Sequence, residues 1–250
     1  MHHPRSPRIA VVGAGRLGTA LHRALTSAGH DAGSAPLRRG ATADGADVVV
    51  LCVPDREIER AAELITAGPL VVHVSGAGSV DLVEASHARR GVLHPLMSVP
   101  NGAASLEGAC AAIRATSDVD ATLLRGLARD LGMVPIDVAD EDRTAYHAAA
   151  SLASNALVAL ELAAAELAAT AGVPASALQP LARAALSQVG QQGPAALTGP
   201  AARGDWETVA AQRAAVAERT PHLLPLFDAA TDACAQIAGT TPSPITAESA

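Results

Sequence analysis

A chain of 250 residues with 49% apolar but only 1% aromatic side chains must fill its interior with Ala, Leu and Val, and it is long enough for one large domain or two modest ones. All 18 basic side chains are arginine, which excludes Schiff-base lysine chemistry, a phosphate-loop lysine and a lysine general acid. The formal net charge is −7 and the arginines stand singly or in pairs, so there is no basic stripe for a nucleic-acid backbone and no nucleic-acid partner is expected.

The opening MHHPRSP lacks the apolar region of a secretory signal and reads as a short disordered leader. Arg8 to Val12 is an apolar strand, followed by GAGRLG at 13–18 and a helix in which Leu17, Ala20, Leu21 and Ala24 recur at helical spacing until Gly29. A weak second strand is expected over His30 to Ala35. Asp47 to Val53 is a continuous apolar run of the kind buried on both faces of a parallel sheet. A helix from Arg56 to about Ile65, a strand over Leu70 to Val74, a further helix after Ser75-Gly76-Ala77-Gly78 and a strand from Gly91 to His94 follow. Strands over Cys110 to Thr116 and Met133 to Val138 flank a helix near 120–131. This βαβ alternation predicts an α/β fold, a doubly wound parallel sheet.

Beyond Asp140 no strand-like run appears, so residues 1–139 are expected to form the α/β domain and 140–250 an all-α domain. Asp140 caps a helix over 141–171, with Glu141 and Asp142 in its first turn. Further helices are expected over 176–191, 205–219 and 221–238, with an unstructured tail from Thr240. No apolar run approaches the roughly 20 residues of a membrane span, so no membrane partner is expected. Cys52, Cys110 and Cys234 are dispersed and none forms a CxxC, which fits a reducing cytoplasm and no metal site.

The glycine-rich turn gains its meaning from the strand before it and the helix after it. Gly13 permits a tight turn, Gly15 lets the backbone approach a pyrophosphate, and Gly18 allows helix to pack on strand. The N–H groups of the helix start, over Ala14, Arg16 and Leu17, supply donors and partial positive charge. An NAD-preferring domain carries a carboxylate about 20 residues further on. This chain instead reads Ser34-Ala35-Pro36-Leu37-Arg38-Arg39, and two guanidiniums there suit the 2′-phosphate of NADP, with NAD still open. Only 11 residues separate Ala35 from Asp47, so the usual second helix must be short or absent.

With RIAVVGAGRLGTAL (8–21), DVVVLCVPD (47–55), VVHVSGAGS (71–79), GVLHPLMS (91–98), DRTAYHAAASLASNALVAL (142–160) and GPAALTGPAARGD (193–205), the chain resembles a family of NAD(P)-dependent oxidoreductases. These pair a Rossmann-like domain with an all-helical C-terminal domain of unknown function. More distantly it resembles pyrroline-5-carboxylate reductase, ketopantoate reductase and the β-hydroxyacid dehydrogenases. The resemblance implies reduction of a small 2-oxo acid, ketopantoate first, with a pyrroline-5-carboxylate-type imine as the alternative. A non-catalytic dinucleotide sensor is a reading of a second class.

Hydride transfer needs a held nicotinamide, an oriented substrate and a proton source. Val53, Pro54, Ser75 and Gly76 lie in loops that face a cofactor at the carboxyl edge of such a sheet. His94 ends a strand before Pro95, which aims its ring at the crevice. His147, Ser151 and Asn155 are spaced i, i+4, i+8 and share one helix face. The resemblance to ketopantoate reductases and β-hydroxyacid dehydrogenases implies a Lys-x-x-x-Asn pair on the equivalent helix; Asn155 matches the asparagine but Ser151 replaces the lysine, so His147 or water must supply the proton. Arg203 is placed to fork onto a substrate carboxylate beside Thr198, or else to pair with a surface acid. The extended Ala/Leu faces of the helical domain predict a homodimer.

Overall fold

The computed structural model describes residues 7–83 and 87–241. Of the expected leader, residues 1–6 lie outside the described residues, as does the expected tail from residue 242 on. The chain divides into two compact units, Met1–Ser154 and Asn155–Ala250.

The first unit is built on β1 (Ile9–Val12), β2 (Val48–Leu51), β3 (Leu70–His73), β4 (Arg90–Leu96), β5 (Cys110–Ala115) and β6 (Val134–Asp137), side by side in that order. Helix α1 (Arg16–Ser27) follows β1, α2 (Ile58–Glu63) follows β2, and α3 (Asp118–Asp130) joins β5 to β6. The four strands β1 to β4 are parallel, as are β5 and β6, but β5 runs antiparallel to β4. Residues 97–109 form no crossover helix, and without one the chain returns beside β4 in the opposite direction.

The central strands are apolar along their whole length because both faces are covered. Val48 and Val50 pack with Ile9, Val11, Leu70 and Val72 beneath Leu21 and Leu25 of α1 and Leu124 and Leu127 of α3. Val49 and Leu51 turn the other way, against Ile58 and Ala62 of α2. Each such buried side chain contributes on the order of 2 kcal/mol. Ser117 caps α3 by accepting from the Asp120 N–H, with Asp118 and Asp120 in the first turn and Arg129 in the last.

The second strand expected over His30 to Ala35 is reduced to two isolated parallel bridges to β1, Arg8 to Asp31 and Val12 to Leu37. The pairing is real, since Ile9 N–H donates to Asp31 O and Gly13 N–H to Leu37 O, but Pro36 and the glycines around it prevent a continuous ladder. The chain therefore leaves β1 outward on one side and returns as β2 on the other, which makes the carboxyl end of β1 the point where the sheet reverses direction. After Ser75-Gly76-Ala77-Gly78 the expected helix is, among the described residues, a 3₁₀ turn over Val80–Leu82.

The long helix expected over 141–171 is compound. A 3₁₀ turn (Asp140–Asp142) leads into α4 (Arg143–Ser151), a π-helical stretch (Leu152–Ala156) and α5 (Leu157–Ala169). The passage from one unit to the other falls inside the π stretch. As one helix, Asp140–Ala169 spans 30 residues, and an 18-residue window within it has a mean hydropathy of 1.5, so it is long and apolar enough to cross a membrane by length and composition alone. No uninterrupted apolar run reaches such a length, because Tyr146-His147, Ser151, Ser154-Asn155, Glu161 and Glu166 break up the Ala, Leu and Val between Arg143 and Thr170.

In the second unit α5 is followed by α6 (Gln179–Gln192), the short α7 (Pro200–Arg203), α8 (Trp206–Arg219) and α9 (Leu224–Ala238). Ala201, Val209, Val216 and Ala235 are buried where α7, α8 and α9 meet, and Arg213 forks onto Asp228 across α8 and α9 at 2.9 and 3.0 Å. No residue of α5 or α6 is buried. Leu160 and Leu162 on α5, and Leu181, Leu186 and Val189 on α6, are exposed.

Candidate active site

Strand register sets the site's floor. Val12 pairs with Leu51, Leu51 with His73, and His73 with Val92. Two residues further along each strand, Ala14, Val53, Ser75 and His94 therefore stand level at the carboxyl edge of the sheet, where open α/β folds bind their ligands.

At the β1 end the glycines have separate tasks. Gly13 has φ +114°, and a Cβ there would meet the Cys52 carbonyl oxygen at 2.3 Å; a Cβ on Gly18 would overlap the Gly13 carbonyl oxygen at 1.8 Å. Both are steric requirements of the turn. Gly15 has open space where its side chain would be, and it begins α1 with no side-chain cap and no acid in the first turn. The first-turn N–H groups near Arg16 and Leu17 are thus left for an anion, and the backbone can be approached closely, as a dinucleotide pyrophosphate requires. Burial drives the neighbouring Cys52 thiol up to about 12, so it is an inert apolar filler.

The loop after β3 is locked. Ser75 is buried; its Oγ donates to Asp55 Oδ2 at 2.6 Å and accepts from the Gly78 N–H at 3.0 Å. The Ser75 N–H donates to His73 Nδ1 at 3.2 Å, so the proton of this fully buried imidazole sits on Nε2, which donates to the Ser79 carbonyl at 2.8 Å. Burial lowers the His73 pKa and keeps the ring neutral. Val53 and Pro54 lie beside this loop, with Asp55 opening the next turn.

Across the loop lies α4. Arg143 is fully buried and donates from Nη2 to the Ser75 carbonyl at 2.7 Å, whereas its Nε and Nη1 are buried without a partner. Asp140 accepts from the Val80 N–H at 3.1 Å and from Arg114 Nε at 3.1 Å, and its carboxylate opposes the fall that burial imposes on the Arg143 pKa. One turn on, Tyr146 Oη lies 2.8 Å from His94 Nδ1, with the two rings edge to face. His147 turns its own ring edge-on to His94, with centroids 6.3 Å apart. Both imidazoles crowd over Gly76, where a Cβ would lie 2.4 Å from His147 Cδ2 and 3.0 Å from His94. Burial, then the Arg143 and His147 charges, push the His94 pKa down to about 4, and burial raises that of Tyr146.

His94, His147, Ser75, Gly76 and the glycine turn are thus brought to one sheet edge. Ser151 stays on the α4 face of His147, but the π stretch beginning at Leu152 ends the α spacing on which the alignment of Asn155 rests. Arg39 forks onto Glu57 at 3.0 and 3.1 Å on the surface. In the second unit Arg203 Nη1 donates back to the Thr198 carbonyl, which closes its own turn.

Sequence reading missed Arg143 and Tyr146. Both were legible, since 143, 146 and 147 share a helix face and Tyr146 is the only tyrosine in the chain.

The description Domain of unknown function (DUF2520) matches residues 109–234. No curated protein matches the chain. Among solved structures the chain is similar to BF3122 from Bacteroides fragilis, provisionally described as an NADP oxidoreductase. That match has 23% identity and a TM-score of 0.79, and covers 92% of this chain and 98% of the other. It is similar to protein TM1727 from Thermotoga maritima at 22% identity and a TM-score of 0.74, with the same coverages of 92% and 98%. A reductive aminase from Aspergillus terreus, in complex with NADPH and ethyl-5-oxohexanoate, matches at 15% identity and a TM-score of 0.66, covering 89% of this chain and 92% of its own. At these identities the likeness establishes the fold, a Rossmann-like sheet followed by a helical region. By the match over half its length, the chain belongs to the family of the Domain of unknown function (DUF2520).

Proposed function

We propose that this chain is an NADPH-dependent reductase of a small carbonyl or imine substrate. The observation that carries this reading is the placement of an open glycine turn and a Tyr146-His94-His147 group along one sheet edge. A bound reduced nicotinamide supplies the hydride. The chain's own parts hold the pyrophosphate over Gly13, Ala14 and Gly15, position the ribose and nicotinamide by Val53, Pro54, Ser75 and Gly76, and orient the substrate beside His94 and His147. Ser151, on the α4 face of His147, extends the substrate side. Arg38 and Arg39 favour the 2′-phosphate of NADP, and NAD fits the same turn without them.

A 2-oxo acid is the first substrate class and ketopantoate its first test. An imine is the second, favoured by the NADPH-bound reductive aminase of the same fold. The exposed apolar residues of α5 and α6 suit cover by a second copy of the chain. Glu161 and Glu166, the latter paired with His222 at 3.0 Å, suit a protein partner better than lipid. Three dispersed cysteines without a CxxC support a reducing, cytoplasmic location.

The test is a fluorescence titration with NADPH and NADH, followed by loss of nicotinamide absorbance over a panel of 2-oxo acids and cyclic imines. Binding with turnover of a panel member is the expected result. Tight binding with no turnover makes the protein a sensor, and no binding overturns both readings. Sedimentation at two protein concentrations, without detergent, checks the dimer.

A further inference from the structure

We infer that Tyr146 is the acid that protonates the substrate, and that His94 restores its proton through the Nδ1–Oη contact at 2.8 Å. The inference rests on the reductase reading and names the proton source that the lysine-free sequence leaves open. His147 is exposed and makes only an edge-on ring contact, whereas Tyr146 has a dedicated partner held in a built cradle.

The cradle has three walls. The Gly76 backbone leaves no room for a side chain and fixes the height of both imidazoles. The Arg143 guanidinium, anchored on the Ser75 carbonyl, lies beneath and favours negative charge developing on the phenol oxygen. His94 stays neutral at physiological pH, so it acts as a proton conduit and not as a resident cation. Tyr146 and His94 are each only half-buried, and Nε2 of His94 makes no hydrogen bond among the described residues.

The step balances. As the substrate carbon receives hydride, the C=O or C=N π pair moves to the heteroatom, which takes the Tyr146 Oη proton. The His94 Nδ1 proton passes to Oη, and Nε2 takes one proton from water. One proton is consumed per hydride, and exchange with solvent returns the ring to its starting tautomer. Tyr146 is therefore the catalytic acid and His94 a positioning and relay residue. The other titratable groups around the pair are Arg143 and His147 on α4, with Asp140 beside Arg143, His73 on β3, Asp55 after β2, and Cys110 on β5.

Because Tyr146 is the only tyrosine, its ionisation can be read directly in the tyrosinate absorbance of the full chain, and Tyr146→Phe must abolish the signal. Biosynthetic difluorotyrosine brings that titration into a mild pH range. In that protein His94→Leu, which removes the donor to Oη, is expected to raise the tyrosinate midpoint by about one pH unit. His94→Asn, which keeps an N–H near the place of Nδ1, restores most of the shift. A midpoint that is unchanged or falls in His94→Leu overturns the relay, whether or not a substrate is known. With a substrate in hand, Tyr146→Phe should lower kcat about 100-fold at an unchanged NADPH Kd. Difluorotyrosine should shift the alkaline limb of the kcat profile down with the midpoint. Turnover with an unmoved limb overturns Tyr146 as the acid. Loss of all turnover in the wild type sinks the reductase reading and with it the role of Tyr146 as acid, while the midpoint still decides the Tyr146–His94 pair.

Discussion

Arg143 donates from Nη2 to the Ser75 carbonyl at 2.7 Å, fastening the first turn of α4 to the loop that ends β3. The guanidinium is fully buried, yet two of its nitrogens have no partner. Unsatisfied buried donors cost stability, so Arg143→Met, similar in volume and without them, is expected to change the unfolding free energy by no more than about 1 kcal/mol. Turnover should nevertheless fall at least tenfold. Urea melts beside kinetics separate the two, and a variant both stable and fully active would reduce Arg143 to a tether.

Gly76→Ala places a methyl within 2.4 Å of the His147 ring and 3.0 Å of His94. Overpacking of this kind costs about 1–3 kcal/mol. The variant should fold with a lowered Tm and lose at least tenfold in kcat, because both rings must move. An unchanged kcat would show that the imidazoles tolerate displacement.

The glycine turn should divide into structural and ligand positions. Gly13→Ala and Gly18→Ala meet backbone oxygens at 2.3 and 1.8 Å and are expected to destabilise by more than about 3 kcal/mol. Gly15→Ala enters open space at φ −75° and should melt like the wild type while weakening NADPH binding about tenfold. Tm and dinucleotide Kd, measured on all three, test the division.

Arg39 is held by Glu57 in a forked surface pair. If Arg39 reads a 2′-phosphate, Arg39→Ala should cost NADPH about tenfold in Kd and leave NADH unaffected. Glu57→Gln frees the guanidinium and should tighten NADPH by a few-fold. Equal losses for both dinucleotides in Arg39→Ala would refute the assignment.

The His94 pKa lies at about 4 in the folded protein, against 6.5 for an ordinary histidine. Between those values the unfolded chain binds more protons, so stability rises with pH across the window and is lost as pH falls from 6.5 towards 4. The effect is up to ~3 kcal/mol, and His73, shifted the same way by burial, adds to it. Urea midpoints from neutral to mildly acid pH should fall in the wild type and fall less steeply in His94→Gln. Parallel slopes would show that other groups carry the acid sensitivity.

Much of this architecture was legible because local rules and packing agree. The apolar run at 48–51 had to be buried on both faces, and Gly13 and Gly18 are required by contacts that only a strand-turn-helix makes. The antiparallel β5 was not legible, because strand direction depends on whether residues 97–109 contain a helix, and so short a stretch carries no clear periodicity. The π stretch was hidden for a related reason: an Ala/Leu sequence fits α and π turns alike, so the spacing that joined His147 to Asn155 carried no warning. His94 and His147 were found from spacing and a following proline. Arg143 and Tyr146 were passed over although they share a helix face with His147; their partners, the Ser75 carbonyl and His94, are far away in sequence.

Between α1 and Asp47 the chain bridges to β1 at Asp31 and Leu37, and beside it lies a cleft of about 540 Å³ bordered by Arg8, Ala32, Ser34, Leu37 and Ala43. A loop fastened at two points can change in length and sequence without disturbing β1 or β2. Under the proposed function this loop meets the adenosine end of the dinucleotide, while chemistry belongs to the Tyr-His group at the other end. Choice of cofactor and choice of substrate would then be inherited separately. Swapping the first would cost loop-ordering entropy, about 1–2 kcal/mol per residue fixed, and leave the core untouched.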